Sequence, residues 1–183
     1  ALHLLDAAAD RNPILGPTLR DAARDWRATI ETTSPAWVAD HKVEEQVVFP
    51  AAGYVDQALS AGLETLGPGE IELADLDIVR ALTLEPGAGA ETRTRVAEER
   101  GVVELASRRR LSGEDFALNA RGRLRRPVGA APAARPAPAA DPGATLGEAA
   151  LYALTRRFGL DYGPAFRRAR AVQRLDDRRA FVT

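Results

Sequence analysis

Apolar and polar residues alternate through WRATIET at residues 26–32, as they do along a half-buried strand. EQVVF at 45–49 is short and rich in β-formers, and Pro50 closes it. The period then changes. Tyr54, Val55, Ala58, Leu59 and Leu63 recur at helical spacing, which predicts a helix over 51–63 with one buried face, opened by the proline. Gly67-Pro68-Gly69 is a strong breaker. Strand-like runs come next at 71–84 (IELADLDIVRALTL), 92–99, 102–110 and 115–124, parted by breakers containing Gly87, Gly89, Gly101 and Gly113. This spacing predicts an antiparallel meander. One helix against several antiparallel strands points to the α+β class, with the helix wrapped by the sheet.

Residues 127–143 hold five prolines and seven alanines, a composition that suits a semi-rigid spacer rather than a core. They divide the chain into a first part, 1–126, and a short second part, 144–183. The second part opens with TLGEAALYALTRRFG, where Thr145 and Glu148 have the spacing of a capping box and Gly159 is a C-terminal stop. Residues 171–175 and 179–183 read as the start of a second sheet that is incomplete at residue 183.

The composition narrows the function. The 183 residues contain no cysteine, so disulfides and thiolate metal sites are excluded, and only His3 and His41 offer imidazole to a metal. A formal net charge of −1 gives no electrostatic case for nucleic acid. No apolar run approaches the roughly 18 residues of a membrane span, and no signal peptide is visible, so a cytoplasmic location is expected. Methionine is absent even at position 1, so the segment is expected to be part of a longer polypeptide.

His41 is the residue with chemical promise. On local grounds it reads either as a hydrogen-bonded or solvated histidine in the turn before a strand, or as a base. The residues after it favour the second reading. A short strand and a proline lead straight into a helix whose first amides, at Ala51 and Ala52, are unpaired donors at the positive end of the dipole. Such amides can hold a carbonyl oxygen as it gains negative charge, while an imidazole removes a proton from the neighbouring carbon. Tyr54 and Tyr152 read as packing residues rather than catalysts.

The run PAWVADHKVEEQVVFPAAGY resembles the catalytic region of dehydratase domains from modular polyketide synthases. His41 and Pro50 fall on the ends of that family's HxxxGxxxxP pattern. Trp37 and Asp40 upstream, NPILG at 12–16, and LDYGPAF at 160–166, which is similar to the family's YGPxF signature, agree in order and separation. The resemblance implies a double hotdog: two antiparallel sheets, each wrapped around a central helix, joined here by the Ala/Pro-rich stretch. It implies removal of water from a 3-hydroxyacyl thioester, carried on the phosphopantetheine arm of acyl carrier protein, to give a 2,3-enoyl thioester. No other cofactor and no metal is implied. His41 would be the base and the amides near Ala51 and Ala52 would polarise the thioester carbonyl. Phe49, Pro50, Gly53, Tyr54, Tyr162, Gly163, Pro164 and Phe166 would line the substrate site. Partners would be acyl carrier protein, neighbouring synthase domains and, as is common among such domains, a second copy in a homodimer.

Two positions depart from the pattern. Glu45 replaces the motif glycine, which implies either a tolerated surface change or altered chemistry. The family's second catalytic group is an aspartate in a DxxxQ or DxxxH motif, and no aspartate here has Gln or His four residues later. In the family that motif normally falls past the point that residue 183 reaches, so its absence is expected to reflect incomplete coverage and not a different mechanism. The alternatives to a dehydratase are an inert domain that maintains the synthase architecture, which Glu45 keeps open, or a related hotdog enzyme that uses the same His41 to move a double bond or close a ring. Finally, Arg108–Arg110 and the alternating Arg121, Arg123 and Arg125 read either as a docking patch for an acidic carrier or as a solvated strand face.

Overall fold

A computed structural model describes residues 12–19, 22–97, 101–129, 145–174 and 180–183. His3 and most of the Ala/Pro-rich stretch, 130–143, lie outside the described residues. In chain order the first part runs β1 (Thr18–Leu19), β2 (Ala22–Ile30), a 3-10 turn (Ala36–Asp40), β3 (His41–Val43), β4 (Gln46–Val48), α1 (Ala51–Leu66), β5 (Glu72–Ile78), β6 (Thr83–Leu84), β7 (Ala90–Val96), β8 (Val102–Arg109) and β9 (Ala117–Arg125). The second adds β10 (Thr145–Gly147), α2 (Glu148–Arg157), β11 (Leu160–Tyr162), a 3-10 turn (Pro164–Phe166), β12 (Ala171–Arg174) and β13 (Ala180–Val182).

Six strands form an antiparallel sheet in the order β1-β2-β7-β8-β9-β5, and α1 lies across it. Period-two burial is clearest in β7, where Ala90, Thr92, Thr94 and Val96 face inward and Glu91, Arg93 and Arg95 do not. The helix buries Gly53, Tyr54, Gln57, Ala58, Ala61 and Gly62. Small residues let its backbone approach closely: a Cβ on Gly62 would sit 3.1 Å from both Ile71 and Leu124. The buried stripe is thus narrower than the apolar spacing suggests, since Leu63 is half exposed. The helix also runs three residues past its expected end, to the positive-φ Gly67. NPILG is a hook on this helix. Gln57 Nε2 donates to the Ile14 carbonyl at 2.6 Å, and Asn12 Nδ2 donates to Ser60 Oγ at 2.8 Å.

Two local expectations are corrected. The run 71–84 is two strands, β5 and β6, in different sheets. Arg80 breaks it. The Val79 and Arg80 amides donate to the Asn119 carbonyl, and the Arg80 guanidinium reaches the Ser107 and Ala117 carbonyls, which pulls the chain off its strand path. The capping box is also not made. Thr145 lies in β10, paired with Gln173, and Gly147 caps α2 without any side-chain hydrogen bond.

A second sheet has the order β11-β3-β4-β6, and β10, β12 and β13 form a third of three strands. The second sheet joins the two parts of the chain, because β11 pairs antiparallel with β3 and sets Tyr162 opposite His41. No helix is long and apolar enough to cross a membrane among the described residues.

Candidate active site

His41 is the first residue of β3, half-buried, directly after the Ala36–Asp40 turn. Strands β3 and β4 form a tight hairpin whose two turn residues, Glu44 and Glu45, have φ of 49° and 67°. Positive φ at both positions is what a type I′ turn requires, and it explains a glycine preference at the position of Glu45. The glutamate side chain is exposed at the far end of the hairpin from His41, so it does not crowd the site.

At the near end, His41 Nδ1 lies 2.8 Å from the Val48 carbonyl oxygen. A carbonyl can only accept, so Nδ1 carries the proton and donates it to this bond. The neutral ring then holds its lone pair on Nε2, the arrangement a general base needs. Val48 is succeeded by Phe49, Pro50 and α1. Ala51 and Ala52 head the helix, both exposed; no side chain caps it, and the first bond goes from the Gly53 amide to the Pro50 carbonyl at 2.9 Å. The same short segment thus fixes the imidazole tautomer and presents the free amides.

The rings against His41 come from the second part of the chain, and through Phe166 they continue into aromatic residues of the first. Tyr162 and Phe166 lie 5.5 and 5.1 Å from the imidazole, centroid to centroid. Trp37 packs between Phe49 and Phe166, at 6.1 and 6.2 Å. Phe49 is buried, edge-on to Tyr54 at 4.9 Å, and its ring occupies the space a Cβ on Gly53 would need. The Tyr54 hydroxyl is buried without a hydrogen-bond partner. Burial pushes this phenol up to about 12, against smaller opposing effects of the Arg80 charge and the nearby Leu82 backbone.

A cleft of about 420 Å³ opens beside the helix terminus, lined by Trp37, Pro50, Ala52, Gly53, Asp56, Ala165, Phe166 and Arg168. Of the residues singled out in the sequence, Pro50, Ala52, Gly53 and Phe166 line this cleft. Tyr162 faces the imidazole, Phe49 and Tyr54 are packed behind the cleft, and Gly163 and Pro164 lead into the Phe166 turn. Three participants escaped sequence reasoning in these roles. Val48 acts through its carbonyl, which no sequence pattern marks. Trp37 and Asp40 were visible only as parts of a motif. Asp40 Oδ2 accepts the Ala165 amide at 2.8 Å, and the Asp40 carbonyl accepts the Gly163 amide at 2.7 Å.

Four arginines of these runs pair with carboxylates. Arg108 pairs with Glu91, Arg110 with Glu31, Arg121 with Asp77 and Arg125 with Glu72. The hydrogen bond from Arg108 holds Glu91 below the usual carboxylate range.

Residues 12–110 match the family described as "Polyketide synthase dehydratase domain". Among curated proteins, a phenolphthiocerol/phthiocerol polyketide synthase of Mycobacterium tuberculosis is 31% identical over 180 residues, covering 92% of this chain and 10% of that protein. Among solved structures, GphF dehydratase 1 is 27% identical with a TM-score of 0.75, over 94% of this chain and 62% of that one. A GphF DH1 variant described as isomerase-inactive is 28% identical with a TM-score of 0.76, over 93% and 60%. This chain therefore spans about a tenth of that curated relative and about three fifths of the solved dehydratases.

Proposed function

From the premise that this chain belongs to the polyketide synthase dehydratase family, we propose that it contributes the base and oxyanion half of a site that dehydrates a 3-hydroxyacyl thioester on acyl carrier protein. The observation that carries this is the His41–Val48 hydrogen bond, which leaves Nε2 free to accept a proton next to an uncapped helix terminus.

Nε2 takes the proton from C2. The electron pair moves toward the thioester carbonyl, whose oxygen is held by the amides at Ala51 and Ala52. The pair then forms the C2–C3 double bond as the C3 hydroxyl departs. That hydroxyl needs a proton to leave as water. The family resemblance assigns the donor to an aspartate in a DxxxQ or DxxxH motif, which these 183 residues do not contain. The segment by itself is therefore expected to dehydrate poorly or not at all. In this reading the domain is a double hotdog, with 1–126 as its first half, 127–143 as the joint and 144–183 as the beginning of its second. The acyl chain lies in the cleft between Phe166, Trp37 and Pro50. No cofactor is required beyond the carrier's own phosphopantetheine. The carrier and neighbouring synthase domains are the partners, and the domain pairs as a homodimer.

The isomerase-inactive GphF variant gives a specific reason to keep a second reading, in which the same base moves a double bond. Both are tested by loading carrier protein with 3-hydroxyacyl chains of several lengths and both hydroxyl configurations, adding the full natural polypeptide, and measuring intact mass. Loss of one water supports dehydration. An unchanged mass throughout rejects it, and a shifted double bond from a 2,3-enoyl carrier then selects the isomerase reading.

A further inference from the structure

Proton abstraction by His41 leaves the carboxylate of its chain neighbour, Asp40, without a chemical role. Among the described residues no ion pair involves Asp40. It is instead tied twice to one turn of the second part of the chain: its carbonyl accepts the Gly163 amide, and its Oδ2 accepts the Ala165 amide. A Cβ on Gly163 would run into this same carboxylate, so glycine is what allows the close approach. The turn held in this way carries Phe166, whose ring stands against His41, Trp37 and Tyr162 and lines the cleft. Just before it, Tyr162 is in register with His41. One residue thus sits between the base on its C-terminal side and the cleft wall, which it grips through its side chain.

We propose that Asp40 is a positioning residue: by accepting the Ala165 amide it sets where Phe166 stands against His41, and so fixes the wall that orients the acyl chain toward the base. This rests on the reading of His41 as the base. It separates the hydrogen-bonding role of the carboxylate from its charge, because an amide oxygen can replace the former but not the latter.

The test uses the full natural polypeptide. Asp40→Asn keeps an oxygen for the Ala165 amide, and Asp40→Ala does not. Gly163→Ala displaces the carboxylate while leaving Asp40 in place. Asp40→Ala is expected to lower kcat about tenfold or more while KM changes less than about threefold, since a small misplacement costs mainly the reacting geometry. Asp40→Asn should recover kcat to within about threefold of wild type. Gly163→Ala should resemble Asp40→Ala, and the double variant should be no worse than either, as coupled residues require. Deuterium uptake across residues 163–166 should rise in Asp40→Ala and Gly163→Ala but not in Asp40→Asn.

A folded Asp40→Ala with wild-type kcat overturns the proposal, as does an Asp40→Asn as impaired as the alanine. If Asp40→Ala does not fold, the other two variants decide: a near-native asparagine with an impaired Gly163→Ala supports the clamp, and any other pattern overturns it. If the wild type itself gives no turnover, the exchange data decide alone. Faster uptake in alanine but not asparagine keeps the clamp while the dehydratase reading falls; unchanged uptake removes the clamp.

Discussion

Tyr162 stands directly opposite His41 in neighbouring antiparallel strands, with the two rings 5.5 Å apart. This pairing joins the two motifs through which the sequence resembles a dehydratase. It sets a ring of the second part of the chain beside His41 of the first, and the adjoining cleft likewise takes Trp37, Pro50 and Gly53 from the first part and Ala165, Phe166 and Arg168 from the second.

Glu45→Gly is expected to stabilise the protein. At φ 67° the glutamate has a left-handed backbone that costs an L-residue roughly 1–2 kcal/mol, partly offset by the chain entropy glycine loses on folding. The net gain should be about 1 kcal/mol, or a rise in Tm of about 2–4 °C for a domain of this size. Thermal unfolding checks it, and turnover should not change, since the side chain points to solvent away from His41.

Gly53→Ala should have the opposite effect. The added methyl meets the Phe49 ring, which is itself held by Trp37 and Tyr54. Overpacking of this kind costs about 1–3 kcal/mol, and here it also shifts the start of α1. Denaturant unfolding should show the loss, and kcat should fall more than KM rises.

Tyr54→Phe bears on alkaline stability. The folded protein resists ionising this phenol, whose value lies near 12, whereas the unfolded chain releases the proton at about 10. The native state thus binds more protons than the unfolded state between those values, so stability falls as pH rises through that window, by roughly 2–3 kcal/mol in all. The phenylalanine variant should lose this part of the alkaline slope. At pH 7 it should be as stable as wild type or more so, because it removes a buried hydroxyl that has no partner. Urea midpoints from pH 8 to 11 would show a slope unchanged from wild type if this account were wrong.

Local pattern carried much of this fold and part of the site. Pro50 and the spacing of Tyr54 and Ala58 mark α1 because a helix writes its buried face at fixed intervals. The strands β7, β8 and β9 are legible for the same reason. Arg80 was not legible as a break, because its partners Ser107, Ala117 and Asn119 are distant in sequence. Thr145 and Glu148 have the spacing of a cap, yet the strand pairing of Thr145 with Gln173 prevails over that local preference. The His41–Val48 bond depends on a backbone oxygen, and the Asp40–Ala165 bond on a backbone amide, and neither group varies with residue type.

The most direct test of the central claim replaces His41 by asparagine in the full natural polypeptide. The asparagine Nδ2 can still donate to the Val48 carbonyl, so the hairpin keeps its bond and only the lone pair of Nε2 is lost. Carrier protein bearing a 3-hydroxyacyl chain is incubated with each protein, and its intact mass is tracked. The account predicts loss of one water with wild type and none with a folded His41→Asn. Equal loss of water with both proteins would contradict it.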